Sequence, residues 1–248
     1  NISNVFIAKK FLTKKILKKL PKKIKFKLID NLDQKVVVKA LKDTDIALSC
    51  GFPLLFKRSI LKLPRRGFLI CHAGLLPKYR GGSPLNWQMI NGEKKFGISV
   101  IKLNSKIDGG DIFSERKFDI KKNFDITDLH KIANKNFPQM VIESIKKLIE
   151  KKKPKKKKSK GIIWKQRTKS DSYFDYQNKT FFQADRFVKA LLDPYPNAFF
   201  YFKNKKYEIL KIIRSNKKLK PGEIFFSHRA IYLGLKDATV KAKLKNTF

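Results

Sequence analysis

One stretch, Gly67 to Asp111 (GFLICHAGLLPKYRGGSPLNWQMINGEKKFGISVIKLNSKIDGGD), limits the fold more than any other, because apolar runs there are punctuated by turn residues in a strand, loop, helix, strand order. Gly67 to Cys71 is apolar on both faces, the pattern of a strand buried in a parallel sheet, and it ends at His72. Ligands of open α/β sheets gather at the carboxyl ends of strands, which makes His72 a candidate site residue. Ala73 to Ser83 predicts a loop, and Ser83 as N-cap before Pro84 predicts a short helix over Pro84 to Asn91, stopped by Gly92. Phe96 to Leu103 predicts a second strand that empties into Asn104 to Asp111, whose glycines permit a tight reversal. If the two strands are parallel neighbours, Asp108 returns beside His72. A carboxylate against an imidazole fixes its tautomer and makes a usable acid/base unit. A satisfied core histidine and a solvated turn aspartate account for the same spacing.

The rest of the first half alternates in period, as βαβ units do. Apolar Ile7, Phe11, Ile16, Leu17 and Leu20 recur at helical spacing among lysines, so Phe6 to Leu20 predicts a surface helix packed on a core, with a targeting helix as the alternative reading. Lys25 to Asp30 predicts a strand, Asp33 to Leu41 a short helix with Val36, Val37 and Ala40 inward, and Asp45 to Cys50 another strand. The apolar segment Gly51 to Phe56 sits at a strand's carboxyl end, where it either clasps a flat ring or plugs the core. Asp125 to Glu150 is helical in period, with Pro138 as a kink or restart and His130 as a surface or satisfied residue.

Lys151 to Lys160 (KKKPKKKKSK) is a charge block that cannot bury itself and divides the chain into 1–150, a linker at 151–160, and 161–248. Beyond it Phe and Tyr become dense and short strand-like runs recur at Phe199 to Phe202, Tyr207 to Ile213, Glu223 to Phe226 and Ala230 to Leu233, with a helix over Asp185 to Leu192. That pattern suits a small barrel. The formal charge of +39 at pH 7 fits either a polyanionic partner or a lysine-heavy composition that recolours every surface. Cys50 and Cys71 fall in apolar runs and read as small hydrophobes in a reducing, cytoplasmic setting, and no run reaches the length of a membrane span. Cys71 precedes His72 on a strand, so the two point to opposite faces and do not form a Cys/His nucleophile.

Several motifs together resemble the 10-formyltetrahydrofolate-dependent formyltransferases: His72 to Pro77 (HAGLLP), Tyr79 to Gly81 (YRG), Pro84 to Trp87 (PLNW), Asn91 to Glu93 (NGE), Gly97 to Ser99 (GIS) and Ile107 to Asp111 (IDGGD). The similarity is closest to the methionyl-tRNA and nucleotide-sugar N-formyltransferase branches, and Asp193 to Phe199 (DPYPNAF) resembles a motif of the same enzymes' C-terminal domain. The resemblance implies an α/β fold: a Rossmann-like formyltransferase domain with a mostly parallel sheet, then a small OB-like β-barrel. It also implies that this sequence lacks the family's first strand. By the same resemblance His72 and Asp108 are the catalytic pair. Leu54, Leu55 and Phe56 would line the pterin pocket, and Gly74, Leu75, Leu76 and Pro77 would shape the folate slot. Asn104, Ser105, Lys106 and Ile107 would close its far wall through backbone groups. The implied formyl donor is 10-formyltetrahydrofolate, with no metal. The implied acceptor is the methionyl group of initiator tRNA, or alternatively a nucleotide-linked amino sugar. The family places an Asn two residues before its His, where this chain has Ile70, and that departure is what a non-catalytic binder would show. Small residues at Gly81, Gly82 and Ser83 point to the tRNA branch, whereas Pro84 to Trp87 looks more like the sugar enzymes.

Overall fold

The computed structural model describes residues 2–9, 12, 25–51, 56–155, 161–227 and 230–245. In chain order its strands are β1 (Phe6–Ala8), β2 (Lys27–Ile29), β3 (Ala47–Cys50), β4 (Phe68–His72), β5 (Arg80–Gly81), β6 (Lys95–Lys102), β7 (Ile112–Asp119), β8 (Ile163–Trp164), β9 (Ala198–Phe202), β10 (Lys205–Ser215), β11 (Ile224–Ser227), β12 (Ala230–Gly234) and β13 (Thr239–Leu244). The helices are α1 (Lys35–Lys42), α2 (Arg58–Leu61), α3 (Pro84–Ile90), α4 (Ile126–Ile149) and α5 (Phe181–Lys189). They fall into two compact units that interleave along the chain, one of residues 1–72, 99–115 and 137–159, the other of residues 73–98, 116–136 and 160–248.

In the first unit β1 runs parallel to β2, and β3 runs parallel to β4 in the register Ala47 to Phe68 through Cys50 to Cys71. Strand β6 lies beside β4, yet antiparallel to it, with His72 opposite Ser99 and Leu69 opposite Lys102. The expectation of parallel neighbours is therefore corrected at this pair, although the fold around it is mostly parallel. Phe6 to Ala8 is also not helical. Its three residues pair with β2, and strand pairing supplies backbone partners that an amphipathic helix would have to find internally. The remainder of the helix expected to Leu20 lies, apart from Lys9 and Leu12, outside the described residues. In α1 the buried stripe is Val37 and Leu41, one turn apart, while Val36 is exposed. Ile29, Val37, Leu41, Ala47, Ile60 and Phe68 close the core of this unit.

The strand β3 alternates, burying Ala47 and Ser49 and exposing Leu48 and Cys50. Cys50 is thus no buried hydrophobe, and its Sγ lies 3.4 Å from that of its register partner Cys71. The S–H···S contact drives the exposed Cys50 below the ordinary thiol range and Cys71 well above it. Lys155, within the lysine-rich run, bridges to Ile112 through two backbone hydrogen bonds of 3.1 and 2.9 Å.

The second unit is dominated by a five-stranded antiparallel sheet in the order β11-β12-β13-β10-β9. The strands β8 and β13 escaped the sequence reading, the first for its two-residue length and the second for its lysines, which alternate with buried Val240, Ala242 and Leu244. Helix α5 begins four residues earlier than expected, because Thr180 and Gln183 close a reciprocal capping box. Its buried Ala184, Phe187 and Val188 join Phe174, Phe200, Ile209, Ile212, Ile231 and Leu233 in one apolar core. Full burial of each large side chain contributes about 1.5–3 kcal/mol. His130 of α4 sits in this unit with its Nε2 2.7 Å from the Tyr195 hydroxyl, and burial holds its imidazole below the usual range. No described helix is long and apolar enough to cross a membrane.

Candidate active site

His72 ends β4 with only 6% of its surface exposed. Its Nδ1 lies 3.5 Å from Oδ2 of Asp108, itself 9% exposed, so the two groups that the sequence proposed as an acid/base unit meet in a site shielded from water. Antiparallel pairing delivers this contact by a different path from the parallel one expected. The chain leaves β6 beside the start of β4, where Leu103 N–H donates to the Phe68 carbonyl, and the reversal at 103–111 carries Asp108 back toward His72. The reversal has built-in geometry. Asn104 Oδ1 accepts from the Lys106 amide, Gly109 N–H donates to Lys106, and Lys102 N–H donates to Asp111. A Cβ on Gly110 would stand 1.5 Å from the Lys102 carbonyl oxygen, so only glycine fits. Asp108 adopts a left-handed backbone (φ 41°), which Asp tolerates better than most residues.

Ile70 lies two residues before His72 on the same strand face, half-buried between Ser49 of β3 and Ile101 of β6. Asn104, Ser105, Lys106 and Ile107 are all exposed on the reversal. Phe56 packs on the core, its ring 5.1 Å from that of Phe68. Leu54 and Leu55 lie outside the described residues.

In the second unit, the loop at 73–83 is organised by a residue the sequence reading passed over. Gln88 of α3 is fully buried, its Oε1 accepting from the amides of Leu75 (3.2 Å) and Gly97 (2.9 Å) and its Nε2 donating to the carbonyls of Ala73 and Pro84. Two amides, Asn86 and Gln88, inside an otherwise apolar helix were the available signal. Gly74 and Leu76 are buried, and Leu75 and Pro77 are half-buried. Tyr79, also fully buried, donates from its hydroxyl to Glu93 at 2.6 Å and accepts from Asn91. Burial and the Glu93 acceptor push the phenol well above its usual range. Burial opposes ionisation of Glu93, but hydrogen bonds from Lys78 and Tyr79 outweigh it and hold the carboxyl below the ordinary value.

Ser83 does not cap α3 as expected. Its backbone is left-handed, and its Oγ accepts instead from Gln166 Nε2 and the Arg167 amide. The formyl transferase profile matches residues 5–145, more than half of the chain, and the profile of the formyl transferase C-terminal domain matches residues 166–243. The chain belongs to the formyl transferase family. Among formyl transferase relatives, the methionyl-tRNA formyltransferase of Malacoplasma penetrans is 29% identical over 201 residues, covering 79% of this chain and 63% of that protein. The chain thus spans somewhat less than two thirds of that relative's length. Two solved formyl transferase structures share the fold. One is methionyl-tRNA formyltransferase from Clostridium thermocellum, with TM-score 0.66, 22% identity and coverage of 100% of this chain and 99% of that one. The other is WlaRD, a sugar 3N-formyl transferase, solved in the presence of dTDP and 5-N-formyl-THF, with TM-score 0.62, 18% identity and coverage of 99% and 98%. Among the described residues no group of three or more His, Cys, Asp or Glu side chains is placed to hold a metal ion.

Proposed function

We propose that this chain transfers a formyl group from 10-formyltetrahydrofolate to a primary amine, with the methionyl group of initiator tRNA as acceptor. The observation that carries this reading is the buried His72 and Asp108 pair, 3.5 Å apart at the end of β4, in a chain of the formyl transferase family. In the reaction the acceptor nitrogen attacks the formyl carbon, negative charge builds on the formyl oxygen, and the bond to N10 of the folate breaks as the amine's proton passes to the departing nitrogen. Such a centre needs a proton handler and an oxyanion donor. His72 fills both needs at one position, with Asp108 holding its Nδ1 side so that Nε2 faces the reacting atoms. In this reading Gly74 to Pro77 shape the folate slot. Residues 1–150 serve as the catalytic module, 151–160 as linker, and 161–248 as an OB-like module for the nucleic acid.

The tRNA acceptor is supported by the Malacoplasma penetrans relative and by the charge of +39. A nucleotide-linked amino sugar is the second reading, supported by the likeness to WlaRD across nearly the whole of both chains. The test is mass spectrometry of methionyl-tRNA and of a panel of nucleotide amino sugars after incubation with the protein and the formyl donor. Formylated methionyl-tRNA is the expected product. A formylated sugar nucleotide alone would replace the acceptor, and no product with any amine would leave a non-catalytic binder. Acceptor affinity should also fall steeply with salt, since lysines on phosphates release counterions, whereas a sugar nucleotide would respond weakly.

A further inference from the structure

The segment that follows the lysine-rich run lies along residues 77–83 of the loop. Arg80 and Gly81 of β5 pair in parallel with Ile163 and Trp164 of β8, with Arg80 N–H donating to Ile162 (3.1 Å) and Gly82 N–H to Trp164 (2.9 Å). Trp164 stacks on Tyr79 (centroids 5.6 Å, 15°), lies 4.9 Å from the Trp87 ring, and donates from its indole nitrogen to the Lys78 carbonyl at 3.1 Å. The Trp87 indole donates in turn to Lys165, and the Arg167 guanidinium sits 5.0 Å over the Trp87 ring.

The glycines of the loop match this segment. A Cβ on Gly81 would lie 2.2 Å from the Trp164 carbonyl oxygen, one on Gly82 2.4 Å from the Gln166 Cα, and one on Gly161 1.8 Å from the Pro77 carbonyl oxygen. Each obstacle is backbone, which cannot swing aside as a side-chain end can. We propose that residues 161–167 form a strap that fixes the loop at 74–83, with Trp164 as its positioning residue, and that Gly81 and Gly82 are small to admit the strap. The small residues at 81 and 82 then carry no information about the acceptor. The strap explains Ser83 as well, because its hydroxyl takes two donors from the strap in place of capping α3.

The consequence for binding rests on the formyl-transfer reading, since that reading gives the loop its folate. The consequence for the loop itself does not. Trp164→Ala removes both aromatic contacts and the indole hydrogen bond, Trp164→Phe keeps the stacking, and Gly82→Ala pushes the strap away from the loop side. Amide hydrogen exchange of residues 78–82 is the first readout. It should quicken about tenfold or more in Trp164→Ala and Gly82→Ala, with the amides of β12 and β13 unchanged, and return most of the way in Trp164→Phe. Steady-state kinetics is the second readout. KM for the formyl donor should rise about tenfold in the two disruptive variants while kcat moves far less, the split expected when binding geometry is lost and chemistry is kept. Unchanged exchange at 78–82 in Trp164→Ala would overturn the strap, as would quickened exchange spread equally over β12 and β13. A parent protein without formyl transfer would sink the functional reading only, because the exchange arm still decides the strap.

Discussion

The sheet that carries His72 buries polar side chains among apolar ones such as Leu69, Ile98, Val100 and Ile101, whereas the five-stranded sheet of the second unit buries apolar side chains with Thr239 as its polar exception. In the first, Ser49, His72 and Ser99 are all buried on adjacent strands, and Asp108 is buried against His72. The Ser49 hydroxyl has no hydrogen-bond partner among the described residues. In the second, the positions turned inward are Phe200, Ile209, Ile212, Ile231, Leu233 and Val240. Apolar burial stabilises a fold directly, whereas a buried polar group costs free energy unless it finds a partner. The contrast teaches where stability and chemistry have been kept apart. On the formyl-transfer reading, loss of volume in the second sheet should cost stability, and loss of the buried polar groups in the first should cost turnover.

The largest effect should come from the site. His72→Ala should lower turnover by about 10²–10⁴-fold, the range of a lost proton handler, with the melting temperature near that of the parent. Asp108→Asn, which suits the left-handed backbone at that position, should lower turnover in the same direction. Near-parental single-turnover rates in either variant would remove the acid/base assignment.

The opposite signature should appear in the other sheet. Phe200→Ala should destabilise the protein by about 3–5 kcal/mol, as large-to-small changes in packed cores do, and guanidinium melts followed by tryptophan fluorescence would measure it. A loss under about 1 kcal/mol would mean that the site collapses readily and that the two sheets differ less than their burial suggests.

Ile70→Asn sharpens the comparison, because it moves a polar group into the first sheet. If an oxyanion donor is missing there, the amide should regain up to about 3–4 kcal/mol of transition-state stabilisation. If Ile70 is packing only, the unpaired amide should cost about 1–3 kcal/mol of stability with no gain in rate. Ile70 is half-buried in register with Ser49, and parallel measurement of rate and melting temperature separates the two outcomes.

The smallest effect concerns His130, half-buried in the second unit. Its folded pKa is depressed, so its contribution to stability is complete above the unfolded value and is lost as pH falls through the folded one. Melting temperatures at about pH 7 and about pH 5 should therefore drop more in the parent than in His130→Gln, which lacks the titrating ring. Equal drops would assign the acid sensitivity to other groups.

Much of this molecule is written locally. Apolar period alone locates the positions of β3, β4, β6 and most of the C-terminal strands, and the Gly67 to Asp111 stretch by itself makes His72 and Asp108 candidates. Those features depend on which face each residue presents, which is a property of a few consecutive residues. Three features were decided only by tertiary structure. Strand direction was one, since β6 has the same apolar period whichever way it runs beside β4. The strand at Phe6–Ala8 was another, because the partner β2 lies about twenty residues away and overrides a helical spacing. The meaning of Gly81, Gly82 and Ser83 was the third. A glycine's neighbours set its need for space, and here those neighbours, Trp164 and Gln166, come from more than eighty residues further along the chain.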